Sequence, residues 1–127
     1  MRDLRDFFSP HMTATIAGHQ FTVECPNAET GLWLRTIMAD PELDSKESEI
    51  KIIHKLFKGT YLPKTAGKLP KGGLWDELWE HNVTWPEAVH LGMTAVHYFG
   101  FNEQAAIAYW ESAGDNSEAV AEDDPKG

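Results

Sequence analysis

The stretch Thr84–Ser112, TWPEAVHLGMTAVHYFGFNEQAAIAYWES, constrains this chain most, because it spells two helices and the turn between them. Thr84 with Glu87 three residues on is a capping box, and Pro86 falls in the first turn, where its missing N–H costs nothing. Trp85, Val89, Gly92, Val96 and Phe99 recur at three- and four-residue spacing and form the expected core stripe. Glu87, His90, Thr94 and His97 make a separate polar stripe, expected to face solvent. Gly100 suits a left-handed C-terminal cap that returns Phe101 onto Val96. Asn102 then caps a second helix whose Ala105, Ala106, Tyr109 and Trp110 face inward. A chain with this segment ends its core in an αα-hairpin.

The upstream residues must supply surfaces for that hairpin to pack on. Leu4, Phe7 and Phe8 form the apolar side of one short helical turn opened by Asp3 or Asp6 and broken by Ser9-Pro10. Met12–Cys25 reads as a β-hairpin. With Gly18-His19 as a two-residue type II′ turn, Ile16 pairs with Phe21, Ala14 with Val23 and Met12 with Cys25. Thr15–Thr22 and Thr13–Glu24 then occupy the polar face. Such a hairpin is marginal alone, so its apolar face must pack on helices. Asn27 caps a helix over 28–39 with Leu32, Trp33, Ile37 and Met38 on its apolar side. Gly31 costs that helix about 1 kcal/mol relative to alanine unless a close contact requires it. Asp40-Pro41 ends it.

Asp44 with Glu47 opens the next helix, over about 45–58. Ile50, Ile53 and Phe57 share one face, Ile52 and Leu56 lie beside it, and Gly59 is the expected stop. Residues 60–73, rich in proline, glycine and lysine, read as a mobile loop. Leu74–His81 resumes helix, with Leu74, Trp75, Leu78 and Trp79 on one side and Asn82 at its end. The expected fold is mainly α with an N-terminal β-hairpin (α+β). One globular domain spans 1–113, a small helical bundle with helices at about 28–39, 45–58, 74–81, 85–99 and 103–112. Residues 114–127, GDNSEAVAEDDPKG, read as a disordered acidic tail.

Composition narrows the chemistry. A 127-residue chain can bury a core without a disulfide or metal staple. The lone Cys25 excludes an internal disulfide framework, and at a strand end it reads as a small buried hydrophobe rather than a nucleophile. One thiol fits a reducing compartment. No apolar run approaches the roughly 20 residues that span a bilayer. MRDLRDFFSP lacks the apolar core of a signal peptide. A net charge of −9 argues against non-specific nucleic-acid binding.

His90 and His97 lie two turns apart, about 10 Å by helical rise, too far to share an ion. No H-E-x-x-H, C-x-x-C or phosphate-loop spacing occurs. No catalytic residue, metal or cofactor is therefore expected. Lys64–Lys71 is a local positive patch, read as a solvated loop ahead of a site for an acidic partner or nucleic acid. Five tryptophans are many for this length, and aromatics are enriched at binding hot spots. Trp75 and Trp79 border the 60–73 loop. With Leu78, Tyr109 and Trp110 they are the candidate partner-binding residues.

MRDLRDFF at the start, AETGLWL at 28–34, and WPEAVHLGMTAVHYFG followed by AAIAYWES resemble the tail assembly chaperones of tailed phages infecting actinobacteria. Residues 41–73 match that family poorly. The resemblance implies a non-enzymatic factor encoded just upstream of the tape measure gene and acting in the host cytoplasm during infection. It implies binding to the tape measure protein and to tail tube subunits, with absence from the finished virion. Such proteins occur in a short form and in a longer form made by ribosomal frameshifting; the ending DDPKG is consistent with the short form, whose partners include the longer one. Self-association stays open. The family offers no active-site residue to carry over. A structural tail or head–tail component retained in the virion is the alternative.

Overall fold

A computed structural model describes residues 1–40, 42 and 48–123, with backbone alone from 115 onward. In chain order these form a 3-10 turn (Leu4–Asp6), β1 (Met12–Ile16), β2 (His19–Val23), α1 (Ala28–Ala39), α2 (Glu49–Leu56), α3 (Leu74–Glu80), α4 (Trp85–Gly100) and α5 (Glu103–Asp123). The architecture is mainly α with an N-terminal hairpin, as the periodicities predict. The expected helix start at Asp44–Glu47 lies outside the described residues.

The hairpin keeps its expected faces but not its expected register. Met12 pairs with Val23, Ala14 with Phe21 and Ile16 with His19. The turn is therefore Ala17-Gly18, and both residues have positive φ, 49° and 86°, as a type I′ turn requires. This moves β2 by two residues against β1. An even slip preserves side-chain parity, so Met12, Ile16, Phe21 and Val23 remain the buried face. It carries Cys25 beyond the strand. The thiol is exposed, and the Cys25 N–H donates to His11 Nδ1 at 3.0 Å, which corrects the buried reading.

Caps set the helix ends. Asn27 Oδ1 accepts from Thr30 N–H at 2.8 Å to start α1, and Asn102 Oδ1 accepts from Ala105 N–H at 2.8 Å to start α5. Thr84 and Glu87 form the expected capping box on α4. Bonds from the Thr84 backbone and hydroxyl hold the Glu87 carboxyl below its ordinary pKa. Two helices end in Schellman geometry: Gly59 N–H donates to His54 C=O, and Val83 N–H to Leu78 C=O. The left-handed residues there are Lys58 and Asn82, at φ 58° and 57°. Asn82 matches expectation. At the end of α2 the turn falls on Lys58, one residue before Gly59.

Burial departs from the simple stripes in α1 and α4. On α1, Leu34 and Ile37 are buried while Leu32 is 69% exposed, because Leu32 lies just over half a turn from Leu34. On α4, Ala88, Leu91, Gly92, Thr94, Ala95, Val96 and Gly100 are all buried. Val89 and Phe99 are half-buried, and Trp85 is exposed. Helix α4 is wrapped by α1, α2, α5 and β1, so no single stripe describes it. Gly100 stays helical rather than forming the expected left-handed cap, and α1 runs close to it: a Cβ there would lie 2.7 Å from Met38 Cγ. Phe101 turns outward, 45% exposed, and its carbonyl accepts from Arg35 Nη2 at 2.8 Å.

Residues 60–73 form a closed loop. Tyr61 and Lys71 make an antiparallel bridge at its neck, Leu74 N–H donates to Phe57 C=O at 2.9 Å, and Pro70 is buried beneath it. These contacts fix both ends of the segment that the sequence reads as a mobile loop. Helix α5 continues through Asp123, past the Gly114 boundary set for the acidic tail. Residues 124–127 lie outside the described chain.

Two glycine substitutions separate packing from propensity. A Cβ on Gly92 would fall 2.5 Å from Cγ2 of the fully buried Ile53, a stiff β-branched side chain. Gly92→Ala should lower stability by about 1–3 kcal/mol through overpacking, despite up to about 1 kcal/mol gained in helix propensity. Gly31 has nothing within 4 Å of its Cβ position. Gly31→Ala should therefore stabilise by about 0.5–1 kcal/mol. Urea midpoints moving in the same direction for both variants would contradict this packing.

Candidate functional site

Aromatic residues are gathered in two places. At the junction of α3 and α4, Trp75 stacks on Trp79 (centroids 5.7 Å, planes 14° apart) and on Trp85 (6.0 Å, 9°). Trp79 and Trp85 also stack, at 6.3 Å. Trp75 is fully buried; its indole N–H donates to His54 Nδ1 at 2.8 Å and its edge meets Phe57. The half-buried Trp79 donates its indole N–H to the Pro70 carbonyl at 2.9 Å, tying the loop to α3. Trp85 is the exposed member, at 43%.

Helix α5 meets the polar stripe of α4 in the second place. The Tyr109 ring lies between His90 and His97, stacked at 4.7 and 4.5 Å. His90 Nε2 donates to the Trp110 carbonyl at 3.1 Å, and His97 Nδ1 to Met93 C=O at 2.8 Å. Thr94 is buried, with its hydroxyl donating to His90 C=O. The stripe expected to face solvent is thus the seat of α5. The bland amphipathic reading failed because a polar helix face can be covered by aromatic rings as well as by water.

The structure divides the five candidate partner residues accordingly. Trp75 and Leu78 are fully buried and offer no surface. Trp79 and Tyr109 are half-buried, each held by contacts within the chain. Trp110 is also half-buried but lines open space beside β1. Periodicity did not single out the exposed apolar residues Trp85, Phe101 and Ile107 as surface. Trp85 had a signal, since a first-turn side chain projects past the core its helix covers.

Two grooves adjoin these clusters. Three adjoining cavities of about 570, 200 and 580 Å³ follow β1. Every residue from His11 to Ala17 lines one of them and no β2 residue does, so the groove runs along the outer edge of β1. Among the described residues that edge is unpaired, since the sheet has two strands. Helix α4 supplies the floor through His90, Thr94 and Tyr98, and α5 the far wall through Ile107 and Trp110. Phe7, Phe8 and Phe101 crowd one end, each at least 45% exposed. Burial raises the Tyr98 hydroxyl above its ordinary pKa. The second groove, about 700 Å³, lies between the 60–73 loop, the start of α2 and Trp85.

A family model described as a domain of unknown function (DUF7426) matches residues 2–127. The chain belongs to that family. No curated protein and no solved structure matches it. In this member, no group of three His, Cys, Asp or Glu residues is placed to hold a metal among the described residues, and no described helix is long and apolar enough to cross a membrane.

His54 gives the tryptophan cluster a pH dependence. Burial lowers its pKa from the ordinary 6.5, and only the neutral ring can accept the Trp75 N–H at Nδ1. The folded state therefore binds this proton less readily than the unfolded one. Stability is complete above the unfolded value and falls as pH drops through it, levelling once the folded form protonates. Melting temperature between about pH 7.5 and about pH 5.5 should fall more steeply for the native chain than for His54→Gln. Equal slopes would remove His54 as the cause.

Proposed function

We propose that this protein is a non-enzymatic tail assembly chaperone of a tailed phage. It binds the tape measure protein, tail tube subunits or both while the tail is built. The observation that carries the reading is the groove along β1, where an unpaired strand edge, an aromatic helix wall and exposed phenylalanines lie together. The resemblance of MRDLRDFF and WPEAVHLGMTAVHYFG to that chaperone family supports it. Phe7 and Phe8 from the first segment border one end of this groove, and residues of the second form its floor.

Such a groove suits an aggregation-prone client. A client strand can add to an open sheet edge through main-chain bonds, and a client helix can lay an apolar face against aromatic anchors. Both modes tolerate varied sequences, as a chaperone needs. The net charge of −9 keeps a loaded complex soluble.

Co-expression with the tape measure protein of the same genome should raise that protein's soluble yield and co-purify the two. Ile107, 56% exposed on the groove wall, is the residue to change. Ile107→Asp should cut the recovered complex by about tenfold, the effect of one lost hot-spot anchor, while leaving the melting temperature within a few degrees. Stoichiometric presence of the protein in purified virions would overturn the proposal in favour of a structural component.

A further inference from the structure

The second groove shares no lining residue with the first and carries a different chemistry. Lys51 comes from the start of α2, Lys64 and Lys68 from the loop, and Leu62, Pro63 and Trp85 supply apolar surface. No acidic side chain lines it among the described residues. Three cations elsewhere are engaged: Lys58 pairs with Glu24 at 2.8 Å, Lys55 sits over the Trp33 ring, and Arg35 donates to the Phe101 carbonyl at the end of α4. Lys51, Lys64 and Lys68 make no ion pair among the described residues. Among the described residues, a chain of net charge −9 thus gathers three lysines without an ion pair around the exposed Trp85.

The geometry points to a binding site for an acidic polypeptide segment bearing an aromatic or aliphatic anchor. Charge complementarity selects the occupant. Carboxylates meet the three ammonium groups at the rim, and the anchor packs on Trp85 and the proline-lined wall. The remainder of the acidic molecule repels an anionic partner at long range, so the site accepts a segment whose negative charge is local. A polyphosphate backbone carries charge along its whole length and meets that repulsion throughout, which favours a peptide over a nucleic acid. The Tyr61–Lys71 bridge and the Trp79–Pro70 bond fix both ends of the loop that carries Lys64 and Lys68 beside α3.

The test is fluorescence anisotropy on the full chain with three labelled probes. These are a short Glu/Asp-rich peptide with a central Leu-Phe pair, the same peptide with Lys in place of the acids, and oligothymidylate. Saturable binding of the acidic peptide, weakened about tenfold by Lys64→Glu with Lys68→Glu and weakened by raising salt from about 50 to about 300 mM, is the expected result. Trp85→Leu should weaken binding without changing the salt dependence. The double lysine variant alters only exposed positions, and an unchanged melting temperature confirms that it folds. No saturable binding, equal binding of the basic peptide, or tighter binding of oligothymidylate each overturns the assignment. Ile107→Asp should leave this binding unchanged, which separates its failure from that of the chaperone reading.

Discussion

Everything in this fold depends on the close approach of α4 to its neighbours. Gly92 admits the Ile53 side chain of α2, and Gly100 admits Met38 of α1. Ala88 and Ala95, both fully buried, keep the rest of the contact face thin. Small residues bring helix axes together and let the flanking Leu91, Val96, Leu34 and Ile53 interlock. A side chain at Gly92 would have to displace the fully buried Ile53, while one at Gly100 would press on the more adaptable Met38. The hairpin then covers what the helices leave open. Its buried face of Met12, Ile16, Phe21 and Val23 joins the same core.

Wrapping one helix on so many sides has a cost in surface. The helices outside α4 can each bury only one face, so apolar residues at their ends and outer edges stay in solvent. Ile107 on α5 is of this kind, and Trp85 and Phe101 stay exposed in the same way at the two ends of α4 itself. They lie at the seams between elements, where grooves form because two convex helices meet. The binding surfaces and the core therefore share one origin. The grooves are the margins of the packing around α4, and their walls are held by hydrogen bonds such as Arg35 to Phe101 and Trp79 to Pro70.

Most of the helices were legible because capping chemistry is local. Asn27, Thr84, Asn82 and Asn102 each mark an end through one side chain or one left-handed residue, and each lies where the residue type predicts. The hairpin was legible in parity but not in register. Ala17 carries no sequence mark of positive φ, so nothing in the sequence singles out Ala17-Gly18 as the turn. Burial was hardest to read. Leu34 and Leu32 are equally apolar, and Ala88 and Ala95 are too small to announce a core. Only the neighbours brought by tertiary packing distinguish them. The candidate site suffered most from this, since Trp75 and Trp85 differ in burial although they stack on each other.

The same reasoning explains why the two aromatic clusters play different parts. The Tyr109 ring is closed on both faces by His90 and His97, so further contact would have to displace an imidazole. Trp85 stacks on two indoles and is still 43% exposed. A partly covered ring costs little to bind against, because its orientation is already set and part of its surface is already desolvated. The lysines around it add direction without adding core, since each can keep its ammonium in water while its stem lies on apolar surface. Preorganised stacking and unpaired charge are independent properties, one set by α3 and α4 and the other by the loop. Their coincidence at one groove is the argument for reading it as a site rather than as a gap in the packing.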